Sequence, residues 1–258
     1  MTSHLLVGSS PLGMIPRVMD EIAGTRILDV GCGCGVYGYL LRNKWQDTPP
    51  GSAQFRDFAR RDPKNDQPAL LAGVDAQLGS VRRCASHNIY DFLALARAEA
   101  LPFPDNYVDT ILCIEVLEHL EKPAALKAIR DFERIAARRI IVTVPKDAVD
   151  AHTGADEREF LKMDAADPAV REWIEAETHR CSFSAGELSA LGFRIGRAVR
   201  PGARGIYDRA LNAWYEHGPQ GGQILAVKDL YKAQSQTIQY SDDVPPAPNV
   251  TESFPDYR

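Results

Sequence analysis

The stretch Ile27 to Leu41, ILDVGCGCGVYGYLL, decides the fold of this chain. It opens with a largely apolar run, ILDV, which is typical of a buried strand. A turn with three glycines follows, and apolar residues then return at helical spacing from Val36. The pattern predicts a strand, a glycine turn and a helix. Such a turn favours ligand binding, because glycine lets a ligand approach the backbone and the helix start presents free N–H groups.

The glycine turn has more than one interpretation. Gly33, Gly35 and Gly38 satisfy the G-x-G-x-x-G fingerprint of dinucleotide-binding proteins, which by itself is a weak signal. Asp29 lies two residues before Gly31, and an acidic residue followed by G-x-G-x-G resembles motif I of the class I S-adenosylmethionine-dependent methyltransferases. A third interpretation is a tight turn without a ligand in an α/β protein. The choice between these three interpretations depends on motifs elsewhere in the chain.

Length, composition and charge limit the possible functions. The chain has 258 residues, enough for one large α/β domain or two small ones. Hydrophobic residues make up 45% and charged residues 25%, values that are ordinary for a globular protein. The formal net charge of −5 argues against sequence-independent binding of nucleic acid. No apolar run is long enough to cross a bilayer, so we expect no membrane association.

The cysteines and the N-terminus indicate a cytoplasmic protein. The first residues lack a basic region ahead of their short apolar stretch, so a signal peptide is not expected. Five cysteines form an odd set, and buried free thiols in a reducing compartment are the simplest explanation. Cys32 and Cys34 form C-x-C rather than the C-x-x-C of zinc sites, so we expect no metal.

Hydrophobic periodicity predicts an alternation of helices and strands in the first half of the chain. Leu78 and Val81 are expected to face inward on the third predicted helix. The predicted elements are a helix over 11–23, a strand over 26–30, a helix over 35–44, a strand over 69–75, a helix over 76–87 and a strand over 91–96. Residues 45–68 are polar and rich in proline, and they are too long for a connection in a compact unit, so we expect a surface insertion.

The second half continues the alternation. Ser184 and Glu187 predict a capping box at the start of a short helix. The predicted elements are a strand over 108–114, a helix from residue 123, and strands over 139–144, 193–199 and 223–228, with a helix over 206–215. The polar, acidic segment 146–180 is a candidate lid. Residues 1–232 are expected to form one domain, and residues 233–258 a disordered tail.

Two further blocks make the resemblance specific. Leu101 to Asp109, LPFPDNYVD, precedes the fourth strand, and Glu115 to Leu120, EVLEHL, follows it. Both blocks, with His179 and Phe183, resemble the small-molecule (methyltransferase type 11-like) branch of the class I methyltransferases. The resemblance covers residues 27–199. The alternation gives a doubly wound α/β sheet, and the resemblance implies a Rossmann-like, seven-stranded, mostly parallel sheet with an antiparallel last strand.

The resemblance also implies where S-adenosylmethionine, the methyl donor, binds. Asp75 with Ala76 is expected to hold the ribose, and Ile114 with Glu115 to lie beside the amino acid and the sulfonium. The residues expected around the methionine half are Asp29, Gly31, Cys32, Gly33 and Gly35.

The adenine position departs from the family pattern. The family has an aspartate there to accept a hydrogen bond from the adenine amino group, but this chain has Arg97. Arginine cannot accept a hydrogen bond. Adenine recognition is therefore expected to use the backbone at Ala98, or Glu99.

The function that these observations favour is methyl transfer to a small-molecule acceptor. The alternatives are an RNA or protein methyltransferase, and a nucleotide-cofactor oxidoreductase or non-catalytic binding protein of the same fold. His179 and His152 are the candidate catalytic bases, because histidine titrates near neutral pH. His179, Phe183, Glu115 and part of segment 146–180 are expected to line the acceptor site. Glu118 and His119 are either part of this site or polar surface residues.

Overall fold

The computed structural model describes residues 14–43, 68–145, 178–196 and 223–230. The predicted insertion apart from residue 68, the lid segment up to residue 177, the predicted helix over 206–215 and the predicted tail lie outside the described residues. So does His152. The single-domain organisation therefore stays a prediction.

The described helices and strands follow the predicted order. The helices are α1 (Ile15–Asp20), α2 (Val36–Asn43), α3 (Leu78–His87), α4 (Lys122–Ile135) and α5 (Ala185–Ala190). The strands are β1 (Arg26–Val30), β2 (Leu70–Asp75), β3 (Phe92–Leu95), β4 (Val108–Ile114), β5 (Ala136–Pro145), β6 (Arg194–Gly196) and β7 (Gln223–Asp229). A 3-10 turn, Leu117–His119, follows β4.

The strands form one seven-stranded sheet in the order β3-β2-β1-β4-β5-β7-β6. The pairs from β3 to β5 are parallel, while β7 is antiparallel to both β5 and β6. The predicted mostly parallel sheet with an antiparallel last strand is confirmed. This order differs from the 3-2-1-4-5-6 order of dinucleotide-binding dehydrogenases, because β7 lies between β5 and β6.

Burial explains why these segments form the central strands. Residues 71–75 of β2 and 110–114 of β4 are buried without interruption, as expected for parallel strands covered on both faces. One buried cluster unites the sheet with α4 and α5, through residues such as Phe132 and Leu188. The other unites it with α1, α2 and α3, through Val18, Leu41 and Cys84. The core therefore lies in two layers, one on each face of the sheet.

Some predicted details are wrong. Leu78 is 38% exposed rather than inward, because it is the first residue of α3 and Val81 and Cys84 provide its buried face. The fifth strand begins at Ala136 rather than residue 139, since α4 ends at Ile135 and the chain becomes extended at once. Of the sixth strand predicted over 193–199, Arg194–Gly196 is observed, and residues 197–199 lie outside the described residues. Within the described residues, no helix is long and apolar enough to cross a membrane. The cytoplasmic location stays a prediction.

Candidate cofactor and active site

The glycine turn lies between β1 and α2, where the ends of β1 and β2 meet. The backbone N–H groups of Gly31 and Cys32 both donate to the carbonyl oxygen of Val74, at 2.8 and 3.0 Å. Gly31 and Gly33 have backbone φ angles of +72° and +54°, which residues other than glycine rarely adopt. Among the described residues, the one neighbour that a Cβ atom added at Gly33 would meet is the Gly31 carbonyl oxygen, 4.0 Å away. The space beside Gly33 is therefore open to a ligand.

Asp75, the last residue of β2, holds this turn through its carboxylate. One carboxylate oxygen accepts from the Gly33 N–H at 2.9 Å, and the other accepts from the Gln77 N–H at 2.8 Å. Burial raises the pKa of the Asp75 carboxyl, and the N–H donors of Gln77, Gly33 and Ala76 act in the opposite direction. The predicted ribose acid thus lies directly beside the glycine turn, although residues 45–67 separate the two in the sequence.

Asp29 lies beneath the turn and is 2% exposed. The Tyr90 hydroxyl donates to its carboxylate at 2.6 Å. Burial raises the pKa of Asp29 from 3.8 to about 7; the Tyr90 hydrogen bond lowers it, and the nearby charge of Asp75 raises it. A cation that binds above the turn would favour the ionised carboxylate.

Glu115 follows β4 at the same edge of the sheet and has a φ angle of +54°. This conformation is uncommon for a residue other than glycine. The Thr143 hydroxyl donates to one carboxylate oxygen at 2.6 Å, and the Gln223 amide donates to the other at 2.9 Å. Burial raises the pKa of Glu115 to about 7, against the effect of these two donors. The preceding residue, Ile114, is buried.

Arg97 and Glu99 form an ion pair after β3. Arg97 Nε lies 2.5 Å from Glu99 Oε1, and its side chain is largely exposed while that of Glu99 is largely buried. Glu99 Oε2 is buried, and no donor from the described part of the chain reaches it. The arginine at the adenine position therefore points to solvent, and a carboxylate oxygen two residues later is available as an acceptor. Ala98, between the two, is buried.

The turn after β4 brings together three further polar side chains. Glu118 is fully buried, so its interpretation as a surface residue is wrong. His119 and His179 are half-buried, and their ring centroids are 4.9 Å apart in an edge-to-face contact. The N–H groups of Arg180 and Cys181 donate to the Glu118 carbonyl oxygen at 2.7 and 3.1 Å, which fixes His179 beside this turn.

Phe183 is a core residue rather than a residue of an open acceptor site. It is 1% exposed, and the Lys122 ammonium lies 3.6 Å from its ring centroid. The same ammonium donates to the Ser182 carbonyl oxygen at 2.6 Å and to the Glu187 carboxylate at 2.8 Å. The expectation that Phe183 lines the acceptor site is therefore wrong. The predicted capping box of Ser184 and Glu187 is confirmed.

Comparison with known proteins favours the methyltransferase interpretation over the other two. Residues 51–139 match the family model described as a methyltransferase domain. This match covers the strand that ends in Asp75, the adenine position and the EVLEHL block. This part of the chain is similar to a methyltransferase domain. The predicted cofactor, S-adenosylmethionine, is the methyl donor of this family.

One solved structure shares the fold of this chain, and two other proteins are similar to it. An S-adenosylmethionine-dependent methyltransferase from Mesorhizobium loti is 16% identical with a TM-score of 0.53, over 86% of this chain and 100% of that one. Magnesium protoporphyrin IX methyltransferase from Synechocystis PCC 6803, with bound S-adenosylhomocysteine, is 15% identical with a TM-score of 0.47, over 84% and 83%. An uncharacterized protein of Methanocaldococcus jannaschii is 45% identical over 49 residues, which are 19% of this chain and 22% of that protein.

Sequence analysis missed two residues that shape this candidate site. Tyr90 fixes Asp29, and its ring fills space that Cβ atoms would occupy at Gly38 and Gly73. Cys84 donates to the Gly33 carbonyl oxygen at 3.2 Å. Neither residue belongs to a motif. The pattern of small residues at Gly38 and Gly73 is the only signal that a large side chain crosses between them.

Proposed function

We propose that this protein transfers the methyl group of S-adenosylmethionine to a small-molecule acceptor. The observation that carries the proposal is the arrangement of Asp29, Asp75 and Glu99 with the open glycine turn at the carboxyl edge of β1, β2 and β3. Ligands of open α/β sheets bind outside this edge. Each carboxylate offers an acceptor for a different part of the cofactor.

Asp75 is the proposed ribose ligand. An ionised carboxylate has about four acceptor positions, and the Gly33 and Gln77 N–H groups use one on each oxygen. The remaining positions can accept from the two ribose hydroxyls. The carboxylate would then hold the ribose and the glycine turn together.

Glu99 is the proposed adenine ligand. A buried carboxylate oxygen without a donor costs free energy, and the adenine amino group is a donor that would satisfy Glu99 Oε2. Arg97 supports this role because it binds the other oxygen, Oε1, and thereby orients the carboxylate. The arginine that replaces the aspartate of the family thus positions a neighbouring acceptor.

Asp29 and Glu115 are proposed to border the positively charged methionine end. Burial raises the pKa of both carboxyls to about 7, which makes their ionisation sensitive to nearby charge. The sulfonium and the ammonium of the cofactor would lower both pKa values. The left-handed backbone of Glu115 supports a functional position, since such strain is often retained at ligand sites.

The protein's contribution to the reaction is mainly alignment. The acceptor atom attacks the methyl carbon, the carbon–sulfur bond breaks, and S-adenosylhomocysteine leaves with the electron pair on sulfur. The sulfonium is already activated, so proximity and orientation can supply roughly 7–11 kcal/mol of the barrier. A base is needed only where the acceptor must lose a proton. His179 and His152 remain the candidates that the sequence offers.

The acceptor class is tested by following the methyl group. The full chain is incubated with methyl-labelled S-adenosylmethionine and, separately, with pools of small metabolites, RNA and proteins. We expect the label in small molecules, with one S-adenosylhomocysteine formed for each methyl group transferred. The net charge of −5 favours this result because it argues against binding of RNA. Label in RNA or protein would instead support the alternative acceptors. The Asp75→Asn variant is the control, and no turnover above this control in any pool would contradict the proposal.

A further inference from the structure

The side chains of Glu118, His119 and His179 form a cluster in the turn after β4. Each offers one ligand atom, a carboxylate oxygen or an imidazole nitrogen, and these three atoms lie within 4.8 Å of one another. The cluster combines two neighbouring residues after β4 with one that lies 60 positions further along the chain. We propose that Glu118, His119 and His179 bind a divalent transition-metal ion.

The chemistry of the three donors suits such an ion. Two imidazoles and one carboxylate bind Zn²⁺, Mn²⁺, Co²⁺ or Fe²⁺ in proteins. Metal–ligand distances of about 2.0–2.2 Å place ligand atoms about 3.4 Å apart in a tetrahedral site. Small side-chain rotations would therefore complete the site from the present arrangement. Three protein ligands leave at least one coordination position for water or another small ligand.

The backbone around the cluster is already fixed, as a metal site needs. The Arg180 and Cys181 N–H groups donate to the Glu118 carbonyl oxygen, and the Cys181 thiol donates to the Leu117 carbonyl oxygen at 3.3 Å. The His119 N–H donates to the Val116 carbonyl oxygen at 3.1 Å within the 3-10 turn. The turn after β4 and segment 178–181 are thus joined before any ion binds.

Burial favours an ion at this position. Glu118 is fully buried, while both imidazoles are half-buried. A divalent ion would be among the largest local charges there, and a buried carboxylate interacts with such a charge strongly. The half-exposed imidazoles leave a side from which an ion can enter.

The cluster also adjoins the cofactor turn. The Val116 side chain packs so closely on Gly31 that a Cβ atom added there would lie 2.3 Å from Val116 Cγ2. Glu118 lies two residues after Val116, and His119 lies three residues after it. An ion held by the cluster would therefore lie on the same edge of the sheet as the cofactor. A histidine bound to a metal cannot act as a free base, so the site would replace the base role of His179.

Metal binding by the full chain tests the proposal without methyl donor or acceptor. After removal of metals, the chain is titrated with Mn²⁺ and with Co²⁺, followed by calorimetry and by the visible absorption of Co²⁺. We expect one ion per chain, with no thiolate-to-cobalt charge-transfer band. His119→Asn and His179→Asn should each weaken metal binding at least tenfold. Loss of a residue that only hydrogen-bonds to a metal ligand already weakens metal binding about 10–100-fold. His87→Ala, at the exposed end of α3, is the matched control and should bind as the wild type does.

Three results would overturn the proposal. They are no stoichiometric binding by the folded chain, unchanged binding in both asparagine variants, or a thiolate band that assigns the ion to the cysteines. Glu118→Gln is a second-line variant, because a change at a fully buried residue can disturb folding. S-adenosylhomocysteine binding is measured in parallel. If the wild type does not bind S-adenosylhomocysteine, that result counts against the proposed function alone. The metal titration would still decide whether the metal site exists.

Discussion

The Tyr90 hydroxyl donates a 2.6 Å hydrogen bond to Asp29, beneath the glycine turn and away from solvent. The bond joins the end of β1 to the residue just ahead of β3, across β2. It lowers the pKa of a carboxyl that burial raises to about 7. Tyr90 therefore supports the ionised form of Asp29, the form that suits a positively charged cofactor.

Removing this donor should weaken cofactor binding. Tyr90→Phe keeps the ring but deletes the hydrogen bond, and a hydrogen bond to a charged group contributes roughly 1.5–3 kcal/mol. We expect S-adenosylmethionine to bind at least tenfold more weakly at pH 7, as measured by calorimetry. Tyr39→Phe, at a residue that is 54% exposed on α2, is the control. Equal affinities of the wild type and Tyr90→Phe would show that Asp29 needs no such support.

Asp29 should also make stability depend on pH. Its pKa is 3.8 when unfolded and about 7 when folded, so between these values the native state holds a proton that the unfolded state has lost. The free energy of unfolding should therefore fall as the pH rises from 4 to 7, with a limiting slope of about 1.4 kcal/mol per pH unit for one proton.

Asp29→Asn removes this titration. Urea unfolding at several pH values should give a flatter curve for the variant, so that its stability relative to the wild type improves towards pH 7. Glu115, with a pKa also near 7, should keep part of the slope in both proteins. Parallel curves for the two proteins would mean that Asp29 ionises normally in the folded state.

Glu99 can be tested through the base of the cofactor. The wild type should prefer S-adenosylhomocysteine to S-inosylhomocysteine, which lacks the amino group, by about tenfold or more, as expected for a hydrogen bond to a charged group. Glu99→Ala should remove most of this preference, whereas Arg97→Ala should retain it because the acceptor remains. A preference that survives Glu99→Ala would assign adenine recognition to the backbone at Ala98.

A side chain at Gly33 should interfere with cofactor binding more than a side chain at any other position in the turn. Gly33→Val adds a β-branched side chain at a φ of +54° and fills the open space over the turn. We expect the sheet to form and cofactor binding to be lost, judged by far-UV dichroism and calorimetry. Gly79→Val is the matched control, because a Cβ atom added at that glycine meets no atom of the described residues within 4 Å. Normal binding by Gly33→Val would place the cofactor elsewhere.

Much of the fold could be predicted because its signals are local. The strands β1, β2 and β4 coincide with largely apolar runs in the sequence. Ser184 and Glu187, three residues apart, form the capping box that predicts the start of α5. Asp75 could be placed beside the glycine turn because it ends a strand that pairs in parallel with β1, the strand before the turn.

Other features depend on contacts between distant segments, which no local pattern reveals. In the sequence, Glu118 and His119 resemble polar residues at a helix start. In the structure Glu118 is fully buried, and the N–H groups of Arg180 and Cys181 bond to its backbone. Tyr90 reads as an ordinary aromatic residue ahead of a strand, and only the folded chain brings it to Asp29. Phe183 reads as part of a site motif, but it packs in the core.

The most direct test of the account is whether the full chain selects S-adenosylhomocysteine over a dinucleotide. Thermal unfolding is measured with S-adenosylhomocysteine and with NAD, each at increasing concentration. At 100 times its Kd a ligand stabilises the native state by about 2.7 kcal/mol, which for a chain of this size raises the Tm by roughly 5–10 °C. The account predicts this rise with S-adenosylhomocysteine, its loss in Asp75→Asn, and no rise with NAD. A rise with NAD and none with S-adenosylhomocysteine would contradict it.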